Sequence, residues 1–151
     1  MYARIMMGLI DIHKPLTIGM TYDPKWVIEG TLAISSRPGH RSEDVSISVV
    51  ESWIEKILKM EIKSIICFLA EDQLDFYARI PSGLLGHYRN SGFEVLHLPE
   101  EDYLHPPLSE ENLRKTVSGF KELEKPVLIH CSAGRDRTGL AVRTILERAT
   151  L

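Results

Sequence analysis

Residues 126–142 read PVLIHCSAGRDRTGLAV and decide the fold. The apolar run at 127–129 predicts a strand, and the stretch 138–149 predicts a helix. The loop between them is polar and contains Gly134, which permits a backbone conformation that a residue with a Cβ resists. Such a loop gathers consecutive backbone N–H groups at the positive end of the helix dipole. The stretch therefore predicts an anion site, best matched to phosphate.

Strands and helices alternate through the rest of the chain. The run IICFL at 65–69 is apolar on both faces, as in a central strand covered on both sides. Val45, Val49, Trp53 and Ile57 recur every four residues and predict one face of a helix. The predicted strands are 26–34, 63–70, 93–98 and 127–129, and the predicted helices are 43–59, 109–123 and 138–149, with one or two short helices in 71–90. This alternation predicts an α/β fold with a central, parallel-rich sheet flanked by helices.

Length and composition limit the possible classes of protein. The 151 residues predict a single domain, 1–151, with an N-terminal extension of uncertain structure at 1–25 and a core at 26–149. With 44% hydrophobic and 26% charged residues, the chain is neither disordered nor collagen-like. A net charge of −3 argues against binding nucleic acid by bulk charge. Two cysteines are too few for a disulfide scaffold, and no stretch predicts a membrane span, so a cytoplasmic location is expected.

The cysteine in the polar loop is the candidate nucleophile. N–H groups and nearby cations stabilise a thiolate at Cys131, and a thiolate beside a bound phosphate is aimed at phosphorus. Arg137 can hold two phosphate oxygens with its planar fork, and Thr138 can donate a hydroxyl hydrogen bond to the sulfur. A lone cysteine after an apolar strand is usually only a small buried side chain. The accompanying histidine, glycines, arginine and threonine favour the catalytic interpretation.

The motif HCSAGRDRTG at 130–139 resembles the signature loop of the cysteine-dependent protein tyrosine phosphatase superfamily. Its place near the C-terminus of a small chain is similar to the compact dual-specificity branch and argues against low-molecular-weight phosphatases. The resemblance implies a signature loop between the last strand and the C-terminal helix, a phosphocysteine intermediate, and no metal or other cofactor. The positions that it implies for phosphate binding are Ser132, Ala133, Gly134, Arg135, Asp136 and Arg137.

The resemblance also implies a general acid in a loop upstream of the cysteine. Asp102 lies 29 residues before Cys131, after one predicted strand and before the helix that begins near Ser109. It would protonate the leaving oxygen and then activate the attacking water. Spacing alone also nominates Glu100 and Glu101, so these two remain alternatives.

Several further residues have two interpretations each. His130 is predicted to shape the loop and tune the thiolate rather than to transfer protons. Arg135 either recognises a second phosphate, as the resemblance to some microbial phosphoinositide-accepting phosphatases implies, or is a solvated surface charge. Arg37 either touches substrate at the rim of the cleft or is an ordinary loop residue. Cys67 is predicted to lie within a buried strand as a packing residue rather than to protect the nucleophile as a disulfide. Glu71 or Asp72 is a candidate ion-pair partner of Arg137.

These residues predict a metal-independent cysteine phosphatase that hydrolyses phosphate monoesters. The resemblance implies phosphotyrosine and phosphoserine or phosphothreonine in proteins as substrates, because the chain has no clear equivalent of the tyrosine-bearing loop that deepens the pocket of the larger tyrosine-specific enzymes. One alternative is a phosphoinositide or inositol-phosphate phosphatase with the same mechanism, and another is an inactive phosphate-binding module. The expected partners are a phosphorylated protein or a small phosphate ester, without nucleic acid or a membrane span. The sequence predicts no oligomeric state.

Overall fold

The computed structural model describes residues 23–149, and most of the predicted extension at 1–25 lies outside them. Five strands form one sheet: β1 Lys25–Ile28, β2 Leu32–Ser35, β3 Ser64–Cys67, β4 Glu94–His97 and β5 Val127–His130. Five α-helices flank it: α1 Ile47–Lys59, α2 Glu71–Leu74, α3 Gly83–Asn90, α4 Glu110–Glu122 and α5 Asp136–Arg148, with a 3₁₀ turn at Asp75–Tyr77 after α2. The strand order is β1-β2-β5-β3-β4, and every pair is parallel except β1 with β2. The predicted α/β fold with a parallel-rich sheet is confirmed.

The predicted single strand at 26–34 is wrong, because the segment is a hairpin. β1 and β2 pair antiparallel, with Lys25 opposite Ile34 and Ile28 opposite Leu32. Gly30 lies in the turn between them at φ 71°, a left-handed conformation that glycine adopts readily. The two apolar halves are separated only by Glu29, Gly30 and Thr31, a turn signal that the prediction of one strand missed.

The first helix is shorter and rotated relative to its prediction. It begins at Ile47, because the Ser46 hydroxyl accepts a hydrogen bond from the Val49 N–H at 3.4 Å and caps the helix. The buried residues of the helix are Val50, Trp53, Ile54 and Ile57. Val49, predicted to face inward, is 41% exposed. Positions four apart advance by about 40° around a helix, so a strict four-residue spacing drifts off the buried face.

The second half of the chain follows its predictions more closely. Ser109 caps α4 through a hydrogen bond from the Asn112 N–H to its hydroxyl, at 3.1 Å. The last helix begins at Asp136, two residues earlier than predicted. Arg137 therefore lies in the first turn of α5 rather than ahead of it, and Thr138 lies in the same turn.

The sheet is buried on both faces, and its register places the site. Ile34, Ile66 and Ile129 belong to the core on the side of α4 and α5, whereas Ala33, Ile65 and Leu128 belong to the core on the side of α1 and α3. At the carboxyl edge, Ser35 and Cys67 are both paired with His130. Cys67 is thus the last residue of its strand, not an interior one as predicted. The loops that follow these three strand ends converge at one edge of the sheet.

Candidate active site

The loop between β5 and α5 is held by close packing against the end of β2. Gly134 has a φ of 74°, and a Cβ on it would lie 2.6 Å from the Ser35 carbonyl oxygen and 2.9 Å from the Ser36 nitrogen. No other residue type fits there without moving the backbone. Among the hydrogen bonds of residues 23–149, none has a main-chain N–H group of 132–137 as its donor. These groups remain free to bind an anion.

Cys131 lies at the base of this loop and is 2% exposed. The hydroxyl of Thr138, itself fully buried, donates a hydrogen bond to the Cys131 sulfur at 3.1 Å. A hydroxyl donor in this position stabilises negative charge on the sulfur. The contact matches the interaction predicted for this pair.

Arg137 is 1% exposed, and one edge of its guanidinium group is anchored. Its Nη1 lies 3.1 Å from the Phe68 carbonyl oxygen, 2.7 Å from the Glu100 carbonyl oxygen and 2.9 Å from Gln73 Oε1. Nε and Nη2 make no hydrogen bond within residues 23–149. Nη2 lies only in ion-pair contact with Asp102, 3.0 Å from Oδ2. Nε and Nη2 are the two donors with which a guanidinium group grips two oxygens of one anion.

Asp102 is the acidic residue of its loop that reaches the site. Its side chain is 26% exposed, Oδ2 contacts Arg137, and Oδ1 accepts a hydrogen bond from the Tyr103 N–H at 3.1 Å. Glu100 instead accepts hydrogen bonds from the Ser109 N–H at 2.6 Å and from Asn112 Nδ2 at 3.2 Å. Its carboxylate is therefore committed to the N-terminus of α4. Glu101 is exposed. The geometry favours Asp102 over its two neighbours.

Gln73 is a site residue that the sequence analysis missed. Its Oε1 accepts from Arg137 and from the Ala70 N–H at 3.1 Å, while its Nε2 donates to Asp102 Oδ2 at 3.3 Å. The predicted pairing of Arg137 with Glu71 or Asp72 is wrong. The first turn of α2 places position 73, rather than 71 or 72, against the guanidinium group. No charge or motif in the sequence marks this glutamine.

His130 lies behind the loop and is fully buried. Its Nδ1 donates to the Cys131 carbonyl oxygen at 2.9 Å, since a carbonyl can only accept. Its Nε2 then accepts from the Tyr88 hydroxyl at 3.0 Å. Burial lowers the pKa of His130 to about 4, although the bond to the Cys131 carbonyl works in the opposite direction. A neutral imidazole with both ring nitrogens hydrogen-bonded fits the predicted role of His130 in shaping the loop.

The remaining candidates are distributed around this centre. Arg135 and Asp136 are exposed, and Ser132 and Ala133 are half-buried. Arg37 is buried rather than on the exposed rim. Cys67 is a free, buried cysteine packed among apolar side chains, and burial raises its pKa to about 12.

Residues 23–149 contain no cluster of three or more His, Cys, Asp or Glu that could hold a metal ion. No helix in the same range is long and apolar enough to cross a membrane.

A cleft of about 500 Å³ opens beside Ser132 and Asp102. Its walls include Arg41, Phe76 and Tyr103, so it combines charged and aromatic side chains. Tyr103 is 87% exposed and therefore presents its ring at the mouth of the cleft. The part of a substrate that flanks the phosphate has room to lie here.

The Cys-x₅-Arg-Thr loop thus lies at the carboxyl edge of a parallel-rich α/β sheet, between β5 and α5. Residues 86–150 match the model of a family described as the tyrosine phosphatase family. This match confirms the resemblance to tyrosine phosphatases over residues 86–150, the part of the chain that carries the signature loop.

One solved structure that matches is a crystal structure of kinase associated phosphatase (KAP) with its catalytic site cysteine substituted by serine. It is 22% identical, with a TM-score of 0.53, over 77% of this chain and 64% of that chain. No curated protein matches. At this identity the match shows a shared fold, and this chain spans less than two thirds of the length of that phosphatase.

Proposed function

We propose that the chain is a metal-independent phosphatase that hydrolyses phosphate monoesters by double displacement through a phosphocysteine intermediate. The observation that carries this proposal is the arrangement of Cys131, Thr138 and Arg137 around the free N–H groups of one loop. A nucleophile, a donor to its sulfur and a guanidinium group whose Nε and Nη2 make no hydrogen bond all adjoin the same anion site. We propose that residues 1–151 act as one phosphatase domain, and the cytoplasmic location stays a prediction from composition.

In the first step, the Cys131 thiolate attacks phosphorus and the bond to the ester oxygen breaks. The N–H groups of 132–137 and the Nε and Nη2 groups of Arg137 hold the three equatorial oxygens, where negative charge is concentrated. Nη1 is already bound to Phe68, Gln73 and Glu100, so the fork is set before the substrate arrives. This preorganisation avoids reorganisation during the reaction.

Asp102 completes both steps. Bound phosphate takes over the Arg137 fork and so displaces Asp102 from its ion pair. Once released, Asp102 takes up a proton from solvent and donates it to the leaving oxygen as the bond from that oxygen to phosphorus breaks. In the second step its carboxylate takes a proton from water, the water oxygen attacks phosphorus, and the sulfur–phosphorus bond breaks. The Thr138 hydroxyl stabilises the departing Cys131 thiolate.

We propose phosphorylated proteins as the substrates, with phosphotyrosine and phosphoserine or phosphothreonine both accepted. The cleft beside Ser132 and Asp102 supports this, because it offers an open channel for the peptide that carries the phosphate. Arg135 is exposed next to the loop, and a phosphoinositide substrate would use it for a second phosphate.

The deciding experiment measures phosphate release in EDTA from a phosphotyrosine peptide, a phosphothreonine peptide and a phosphoinositide. We expect wild-type turnover on the peptides and none from Cys131→Ser. Turnover that Cys131→Ser retains, or wild-type turnover that requires a metal ion and is therefore absent in EDTA, would refute the mechanism. A preference for the phosphoinositide would replace the proposed substrate class, and tight ester binding without hydrolysis would indicate a binding module.

The acid is tested by Asp102→Asn with Glu101→Gln as a matched control one residue away. Removing a general acid lowers turnover by about 10²- to 10⁴-fold, and we expect this loss for Asp102→Asn alone. Asp102→Asn should still bind inorganic phosphate, because the N–H groups of 132–137 and the guanidinium group of Arg137 are unchanged. Equal losses in both variants would contradict the assignment.

A further inference from the structure

A second buried arginine supports the signature loop from the side of β2. Arg37 is 3% exposed and lies in residues 36–42, which we call the supporting loop. The five N–H groups of its guanidinium have five acceptors, all neutral. Nε contacts Ser132 Oγ (3.2 Å), Nη1 contacts the Gly39 carbonyl (3.3 Å) and the Tyr77 hydroxyl (3.2 Å), and Nη2 contacts the carbonyls of His40 (2.7 Å) and Ser42 (2.8 Å).

Within the described part of the chain, the charge of Arg37 has no carboxylate in ion-pair contact. No Asp or Glu of residues 23–149 forms an ion pair with it, although Arg137 across the site is paired with Asp102. Its guanidinium group also lies over the Phe76 ring, 4.6 Å from the centroid. Guanidinium stays protonated in proteins, and a buried charge without a counter-ion is costly. A bound anion nearby would offset that cost.

Arg37 touches the signature loop twice, both times at Ser132. Its side chain meets the Ser132 hydroxyl, and its main-chain N–H donates to the Ser132 carbonyl oxygen at 2.9 Å. Ser132 follows the nucleophile directly, and its N–H is the first of the free donors around the anion site. The contact of Gly134 with Ser35 fixes the same loop two residues on. The supporting loop therefore fixes the orientation of the Ser132 N–H group towards the anion site.

We propose that Arg37 is a positioning residue of this phosphatase site, which fixes the Ser132 end of the signature loop and adds a second buried positive charge that strengthens oxyanion binding. The inference rests on the proposed function. It differs from direct substrate contact, because every guanidinium N–H is occupied. It also differs from a role in folding the supporting loop alone, which would leave oxyanion affinity unchanged.

The test compares Arg37→Met, Arg37→Lys and the control Arg79→Met. Arg79 is an exposed arginine whose ion pair with Asp44 spans 3.7 Å. Arg79→Met therefore removes one positive charge, as Arg37→Met does, but on the exposed surface of the protein. For each folded variant, tungstate affinity is measured by calorimetry, and kcat and KM are measured with p-nitrophenyl phosphate. We expect Arg37→Met to weaken tungstate binding about ten- to hundredfold and the control to change it less than about twofold.

The lysine variant separates charge from geometry. It loses the five-acceptor arrangement but keeps a positive charge, so tungstate affinity should recover in part while kcat stays low. Tungstate binding by Arg37→Met equal to that of the wild type would overturn the proposal. So would equal affinities for the Met and Lys variants, because the charge would then play no part.

A second variant decides the matter if the Arg37 variants fail to fold. Ser132→Ala removes only the Nε contact and keeps Arg37 with its four other acceptors. We expect kcat to fall several-fold with little change in tungstate affinity. An unchanged kcat would overturn the positioning role. A wild-type chain that neither binds tungstate nor hydrolyses esters would instead refute the proposed function, and this inference with it.

Discussion

The neutral state of His130 makes the stability of the fold depend on pH in a defined window. The pKa of this buried imidazole is lowered to about 4, against an ordinary value of 6.5, with burial as the main cause. Between these two values the unfolded chain binds a proton on this residue and the folded chain does not. The free energy of unfolding therefore falls as the pH drops from 6.5 towards 4, and this contribution is constant above the window.

The size of the effect follows from the gap between the two pKa values. Each pKa unit corresponds to about 1.4 kcal/mol, so the full window costs about 3 kcal/mol. That is a large fraction of the ordinary stability of a domain. Replacement of His130 by Asn removes the titrating group while an amide N–H remains that can reach the Cys131 carbonyl. The free energy of unfolding of the His130→Asn variant should change less with pH than that of the wild type, whatever its absolute value.

Urea unfolding, followed by tryptophan fluorescence between about pH 7.5 and pH 4, measures this difference. Wild type should lose about 3 kcal/mol more than His130→Asn across the range. His105→Asn serves as the control, because His105 is exposed, and it should follow the wild type. Wild-type and His130→Asn curves that run parallel within about 0.5 kcal/mol would refute the argument from burial.

Three further predictions concern the site. Arg137→Lys should lower kcat/KM by about 10²- to 10⁴-fold in steady-state assays, because two charge-assisted hydrogen bonds to phosphate are lost. A loss below about tenfold would contradict the proposal that Nε and Nη2 of Arg137 bind two phosphate oxygens. Gly134→Ala should abolish phosphate binding by calorimetry, since its Cβ would meet Ser35 at 2.6 Å, whereas Gly86→Ala, whose Cβ meets only a Ser82 side chain, should keep it. Gln73→Leu should reduce kcat more than phosphate affinity, because it removes the bridge between Arg137 and Asp102. Equal effects on both quantities would argue against that bridge.

The residues at the centre of the proposed site are predictable from the sequence alone. The Cys-x₅-Arg-Thr spacing is local, so Cys131, Arg137 and Thr138 fall around one loop wherever a strand leads into a helix. The fold class followed from equally local information, namely apolar runs that alternate with helical periodicity. Local capping also fixed the start of α4 at Ser109.

The tertiary structure decided what depends on elements distant in sequence. Gln73 is 64 residues from Arg137, and no local pattern reports that the two side chains meet. Arg37 has the sequence context of an exposed loop, yet it is buried because Ser132, 95 residues away, and the ring of Phe76 close over it. Packing on the sheet settled the burial of α1 along Val50 rather than Val49, whereas the hairpin turn at Gly30 had a local signal that the strand prediction missed. Contacts of this kind arise only when the strand ends converge, which is why the loop sequence indicates the reaction while the fold determines how its groups are held.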